Sequence, residues 1–324
     1  MRSTTGNKRQ HESTVISGRP WRRWCGAVLV LVLAAACGGG TSQYEPFIAA
    51  RVLVVGDDLS ALTAEGRKYA VNGLNTAGAL DCAAEPLWVQ TVASLYGYVF
   101  SACNPTASTT AVNGVMRAAA GAKVADVSAQ VDTQVASGGF RDRDLVLALA
   151  GMNDVLELYA RHPAESSTSL MNEAGARGER MAGIVNRLVN LQAKVIVSTV
   201  PDMGLSPFAR AEEASKPGSA ALLSALTRVF NERLGVKVLL DGRYVGLMQS
   251  DLRTQLASRF PASYALSNAS SAACTAAVPA CTTATLLPGA SAGAYFWADG
   301  TRLSSGGQSQ LATLAIERAT RNPF

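Results

Sequence analysis

What most limits the fold of this chain is a set of short apolar runs that do not alternate with polar residues. Residues 51–56 (Arg-Val-Leu-Val-Val-Gly), 144–150 (Asp-Leu-Val-Leu-Ala-Leu-Ala), 193–200 (Ala-Lys-Val-Ile-Val-Ser-Thr-Val) and 236–241 (Val-Lys-Val-Leu-Leu-Asp) are of this kind; 98–101 (Tyr-Val-Phe-Ser) is a weaker fifth. A strand with one wet face alternates, whereas a nearly continuous run implies burial on both faces, hence a parallel sheet covered by helices. Helical patterns fill the intervals, at roughly 86–95, 124–136, 171–191, 218–235 and 305–319. Such alternation builds right-handed βαβ units. The expected fold is α/β, a three-layer sandwich with a central five-stranded parallel sheet. The chain can fill that core, since 48% of its 324 residues are hydrophobic and 16% charged, too few charges for a disordered chain. No repeat or break divides residues 50–324, so they are read as one domain.

In open α/β sheets the ligand sits beyond the carboxyl ends of the strands. That singles out Asp57 and Asp58, then Gly151, Asn153 and Asp154, then Asp202. The formal net charge of +5 does not point to nucleic acid. Residues 1–36 hold six cations (Arg2, Lys8, Arg9, Arg19, Arg22, Arg23) against Glu12, and the rest of the chain is balanced at 23 of each sign. A balanced domain has no electrostatic reason to seek a phosphate backbone. Histidine is scarcer still, with His11 and His162 alone. One copy of the chain cannot build a multi-histidine metal site. His162 lies in Arg161-His162-Pro163 and reads as a surface loop residue. Neither a cofactor nor a metal is expected.

The first 36 residues read as a leader. A basic segment, Arg19-Pro-Trp-Arg-Arg-Trp, precedes an apolar run of about a dozen residues that ends in Ala34-Ala35-Ala36, too short for a span of about 20 and typical of a signal peptide. Leu33-Ala34-Ala35-Ala36-Cys37 resembles a bacterial lipobox. That resemblance implies cleavage before Cys37, acylation of its sulfur and an anchor in the cell envelope. Gly38 in place of an aspartate favours the outer membrane in a Gram-negative source. Residues 37–49 then comprise the lipidated cysteine and a tether, rich at first in Gly, Ser and Thr. The remaining cysteines, Cys82, Cys103, Cys274 and Cys281, are even in number in an exported chain and lack CxxC spacing. Disulfides are therefore expected over zinc. Of three connectivities the local one, Cys82–Cys103 with Cys274–Cys281, is the simplest.

Several blocks then carry a resemblance. Val55-Gly56-Asp57-Asp58-Leu59-Ser60 resembles the Gly-Asp-Ser-Leu-Ser block of the SGNH, or GDSL, esterase–lipase family. Ala118-Ala-Ala-Gly121 resembles its second block, and Gly151-Met-Asn153-Asp154 its Gly-x-Asn-Asp block. Pro201-Asp202-Met-Gly204 resembles a segment after the fourth strand, and Asp299-Gly-Thr-Arg302 the final Asp-x-x-His. The blocks stand in family order across most of residues 50–320. The resemblance implies a flavodoxin-like SGNH-hydrolase fold. It also implies an oxyanion hole from the Gly121 amide and the Asn153 side chain, Asp299 as the triad acid, and Asp57 and Asp154 in support.

Two positions depart from the family. The nucleophilic serine is Asp58 and the histidine base is Arg302. A guanidinium stays protonated and cannot act as a base. Ser60, two residues on, reads as a helix-start hydroxyl rather than a substitute nucleophile. Asp57, Asp58, Asp154 and Asp299 together have the oxygen chemistry for a hard cation, but Arg302 in the same place competes with one. Asp58 and Arg302 can instead form a charge-assisted pair across the positions that serine and histidine join in the active family. The expectation is an anchored SGNH-type lipoprotein, catalytically impaired, that binds an acyl or glycan ligand or a partner. The alternative is an ester hydrolase with an unrecognised nucleophile.

Overall fold

The computed structural model describes residues 46–324, which form one compact unit. The leader, Cys37 and most of the tether lie outside the described residues. The unit begins at Pro46 rather than at 50: the Phe47 ring packs on Phe324, and Ala49 is buried.

Five strands make the central sheet: β1 (Arg51–Gly56), β4 (Gly114–Met116), β5 (Asp144–Leu149), β6 (Lys194–Ser198) and β7 (Val245–Met248). All neighbours are parallel, in the order β4-β1-β5-β6-β7. Counted within the sheet this is 2-1-3-4-5, the flavodoxin-like order. Short β2 (Gly73–Leu74) and β3 (Leu80–Asp81) pair antiparallel, and β8 (Asn268–Ala272) and β9 (Tyr295–Trp297) pair parallel, outside the main sheet. Among the described residues eight helices flank the strands: α1 (Trp88–Leu95), α2 (Val124–Ala136), α3 (Met152–Ala160), α4 (Ser167–Asn190), α5 (Pro207–Ser215), α6 (Ser219–Lys237), α7 (Ser250–Arg259) and α8 (Ser305–Arg321). Helix α1 packs with α8, while α2, α4 and α6 pack as a second group. The burial explains the sequence pattern: Val52–Val55 and Leu145–Leu149 have essentially no exposed surface.

Two strand expectations are corrected. Residues 236–241 are not a strand: α6 runs on to Lys237, and Leu239 and Leu240 are exposed. A short apolar run does not distinguish a strand from the end of a helix. The edge strand there is β7, whose Gly246 lets Arg318 of α8 pack close to the backbone. Residues 98–101 make only isolated bridges, from Phe100 to Gly114 and to Cys103. The chain turns back at the Cys82–Cys103 disulfide, leaving β4 as the fifth strand. Helices α5 and α7 were not evident from sequence periodicity.

Both disulfides join the local pairs, Cys82–Cys103 and Cys274–Cys281. The second clips the loop after β8, a stretch too rich in Ser, Ala and Thr to pack on its own.

Candidate active site

Strand β1 ends at Gly56 and the chain turns at once. With φ +145°, a Cβ here would fall 2.0 Å from the Leu149 carbonyl oxygen, so only glycine fits. Gln130 of α2 satisfies the freed backbone, accepting from the Gly56 amide at 2.7 Å and donating to its carbonyl at 2.9 Å. The next two residues, Asp57 and Asp58, are both fully buried, one beside the other, and their surroundings differ sharply.

The Asp58 carboxylate is held by donors on both oxygens. Oδ2 accepts from the Gly121 amide at 2.7 Å and from Asn153 Nδ2 at 2.8 Å. Oδ1 accepts from Arg302 Nε at 2.9 Å and lies 2.8 Å from a terminal nitrogen of the same guanidinium. Arg302 also reaches Asp299 Oδ2 at 3.1 Å. Asp299 Oδ1 accepts from the amides of Thr301 and Arg302 at 2.8 and 2.7 Å, fixing the turn that presents the arginine. Burial alone would push the Asp58 carboxyl up. The hydrogen bonds from Asn153 and Gly121 and the charge of Arg302 outweigh it, and the group sits below its ordinary range. Burial likewise opposes the charge on Arg302, but Asp58 and Asp299 hold its pKa above the usual value.

The two amide donors come from different loops. Gly121 follows β4 and takes φ +73°, a left-handed conformation that aims its N–H at Asp58. Asn153 stands in the first turn of α3 and spends its second proton on the Ala122 carbonyl at 3.0 Å. Asp58 Oδ2 therefore lies between the two donors that the resemblance assigns to an oxyanion hole.

Asp57 faces the other way. Its Oδ1 accepts from the Leu59 amide at 3.0 Å, and Oδ2 is buried without a partner. Burial, and then the negative charge of Asp58, push its carboxyl well above the usual range. Asp154 braces the site from behind. Its Oδ2 accepts from the Val124 amide at the start of α2, and Oδ1 pairs with Arg177 of α4 at 3.2 Å. Burial raises its pKa, against the amide and Arg177.

The remaining sequence candidates lie elsewhere. Asp202 accepts from the Gly204 amide, Ser224 and Gln255, and His162 is exposed beyond α3. Ser60 is corrected: no helix starts there, and its buried hydroxyl accepts from the Trp88 indole at 3.1 Å. Among the described residues no group of three or more His, Cys, Asp and Glu is placed to hold a metal ion. The carboxylates of Asp58 and Asp299 are instead joined by a guanidinium.

Besides Gln130, sequence reasoning missed three supporting side chains. Arg177 ties Asp154 to Glu157 and Glu173, and with Lys123 it holds the Glu157 carboxyl down to about 2. Its only local signal was the i,i+4 spacing from Glu173. Gln308 of α8 accepts from the Trp88 amide and donates to the Leu59 carbonyl, pinning the loop after β1. Lys68 is buried and donates to the carbonyls of Cys82, Ala84 and Glu85; nothing local in the sequence marks it.

The fold is a flavodoxin-like three-layer α/β sandwich, the layout that the resemblance implies. The sheet order, and the first and third blocks directly after β1 and β5, are those the resemblance implies. No family model matches the chain, and no curated protein does. Similar solved structures include an acetylxylan esterase from Geobacillus stearothermophilus (15% identity, 85% of this chain and 96% of that one, TM-score 0.43). A member of the lipolytic G-D-S-L family from Veillonella parvula is similar at 11% identity (82% and 96% covered, TM-score 0.42). The acetyl xylan esterase AlAXEase is similar at 12% identity (82% and 98%, TM-score 0.42).

Proposed function

We propose that this chain is a lipid-anchored SGNH-type protein that does not hydrolyse esters, its catalytic centre replaced by a closed ionic latch. One observation carries the reading: the Asp58 carboxylate takes both amide donors, from Gly121 and Asn153, while Arg302 stands where a base would be. Ester cleavage by this family's route needs a nucleophile, a base to deprotonate it and free donors for the developing oxyanion. Here the oxyanion donors are spent on a permanent anion. The oxygens of that anion are engaged by four nitrogens, which blunts them as nucleophiles, and the arginine gives up no proton. An acyl carbonyl would seat between Gly121 and Asn153 only after Asp58 had left. The expected role is therefore binding of an acyl or glycan ligand or a partner at the envelope, without turnover.

The test is hydrolysis of short-chain nitrophenyl esters by the purified full-length protein in detergent. Wild type and Asp58→Ser should both stay at the buffer rate, the second because a serine there has no base. Asp58→Ser with Arg302→His restores a nucleophile, a base and free donors, and should raise the rate above background. Wild-type turnover that Asp58→Ala abolishes would overturn the proposal. The anchor is tested apart from the chemistry: labelled palmitate should enter the wild type and not Cys37→Ser.

A further inference from the structure

In a parallel sheet with helical crossovers, the amino ends of the strands and the carboxyl ends of the helices before them share one face, opposite the Asp58 site. Ten large apolar side chains are exposed among the described residues, and the four most exposed meet on that face: Val236 (75%), Leu240 (60%), Ile48 (59%) and Leu239 (49%). Val236 ends α6, Leu239 and Leu240 lead towards β7, and Ile48 leads into β1. Their neighbourhood is continuous. Arg143, just before β5, donates to the Ile48 carbonyl at 2.7 Å, and the Leu239 amide donates to Asn186 near the end of α4. Leu240 lines a groove of ≈ 370 Å³ with Arg318, Arg321 and Pro323. Phe324, the next residue, packs its ring on Phe47.

Cations ring these side chains. Arg143, Lys237, Arg243 and Arg321 are exposed there, and Lys194 at the start of β6 is half-buried against Tyr244. The acidic groups nearby are fewer: Asp142 is exposed, Asp241 is taken by Arg243 and Glu317 by Arg321. Helix carboxyl ends attract cations through the backbone dipole, which accounts for Lys237 and Arg321. It does not account for the apolar side chains set among them. Single exposed leucines are ordinary, but an apolar cluster with a polar rim, here one with more cations than acids, marks an interaction surface.

We propose that this face docks on a bilayer containing anionic phospholipid, with Leu239, Leu240, Val236 and Ile48 entering the interface and the cations meeting phosphate. The occupant follows from where the chain leaves the domain. Pro46, Phe47 and Ile48 are on this face, and residues 38–45 alone separate them from Cys37. Fully extended, eight residues reach about 30 Å. The proposal rests on the lipid anchor of the preceding reading: an anchor at Cys37 holds this face, and not the Asp58 end, near the lipid. A tethered surface needs little intrinsic affinity, because the tether sets a high effective concentration. Docking this way turns the carboxyl ends of the strands, and the Asp58 latch, away from the membrane.

The test uses the mature protein in vesicles of phosphatidylcholine with phosphatidylglycerol, carrying brominated lipid as a quencher. A fluorophore is placed through Leu239→Cys, and in a second protein through Ala120→Cys, which is exposed at the opposite end. Quenching should be several-fold greater at 239 than at 120. It should fall in pure phosphatidylcholine, in about 0.5 M salt and on adding Lys237→Glu with Arg243→Glu. Equal quenching at the two positions, or more at 120, overturns the docking face. Failure of the anchor is read separately, as absence of labelled palmitate. The labelled protein held on nickel-chelating lipid through a His tag placed before residue 38 still tests the face: greater quenching at 239 supports it, and equal or lesser quenching there overturns it.

Discussion

The carboxyl end of the sheet buries Asp57, Asp58 and Asp154, whereas the amino end exposes Ile48, Val236, Leu239 and Leu240. Each end reverses the usual preference of its residue types, and each does so for its own reason. Carboxylates stay buried and ionised at the first only where donors are fixed in advance, as Gly121, Asn153 and Arg302 are around Asp58. Where donors run out, at Asp57 Oδ2, burial pushes the carboxyl well above its ordinary range. At the second end the cations stay in water and the apolar groups lack cover. The amino end does contain one buried pair, Arg51 with Asp144, joined through two hydrogen bonds. So it is not short of means to bury charge; its most exposed apolar residues lie in the last turn of α6, the loop after it and the entry to β1.

The largest effect should come from breaking the latch. Losing one partner of a buried ion pair costs about 3–5 kcal/mol. The Arg302 side chain keeps 28% of its surface exposed while that of Asp58 keeps 1%, so Arg302→Met should cost about 2–4 kcal/mol in urea unfolding at neutral pH. The sign of its pH dependence follows from Asp58. With Arg302 present the folded pKa is lowered, so the group adds stability above its unfolded pKa and loses it as pH falls. Without Arg302, only the hydrogen bonds from Asn153 and Gly121 oppose burial, and that pKa is higher than with the guanidinium in place. The deficit of the variant should therefore shrink from pH 7 to pH 4. A loss below about 0.5 kcal/mol, within the range of an ordinary surface change, would mean that the carboxyl end does not depend on its guanidinium.

The sequence displayed the two ends unequally. The interior strands β1, β5 and β6 were legible because burial on both faces removes polar residues from them. Helix α2 was legible to the residue, since its apolar stripe through Val124, Val127 and Val131 is regular. The edge strands were not: β4 has three residues, β7 is interrupted by Gly246, and edges carry less of the apolar signal. At the site, the resemblance brought Asp58, Arg302, Asp299, Gly121 and Asn153 to one place, and opposite charge at two positions suggested a pair. That Asp58 also takes both amide donors was not legible, because it depends on which oxygen faces which loop. Gln130 and Gln308 were hidden for a related reason: their partners lie 74 and about 220 residues away, and such bonds leave no local periodicity.

A smaller effect separates the adjacent aspartates at the carboxyl end. The Asp57 pKa is raised by burial and by Asp58, so its contribution to stability is complete below its unfolded pKa and is lost as pH rises through the folded one. Asp57→Asn keeps an acceptor for the Leu59 amide and removes the titration. The stability of the variant relative to wild type should rise steadily from pH 4 to pH 9, read as the difference between urea midpoints. A difference that does not change with pH would mean that Asp57 is ionised in the fold, and that its free oxygen has found a donor.

The smallest effect on stability is expected at the amino end, from Leu239→Ser with Leu240→Ser. A leucine fully buried in this sheet, such as Leu53 or Leu147, costs about 2–5 kcal/mol when truncated to alanine. Leu239 and Leu240 leave about half or more of their surface in water and serve no strand, although the Leu239 amide remains bonded to Asn186 through its backbone. The pair of changes should therefore move the urea midpoint by no more than a surface substitution does, within about 0.5 kcal/mol each. The value of this variant lies in that silence, since a change that leaves the fold untouched and still weakens contact with anionic vesicles isolates a surface role. A loss of several kcal/mol would break the comparison from the other side: the two leucines would then belong to the core, and the contrast between the ends would reduce to one of charge alone.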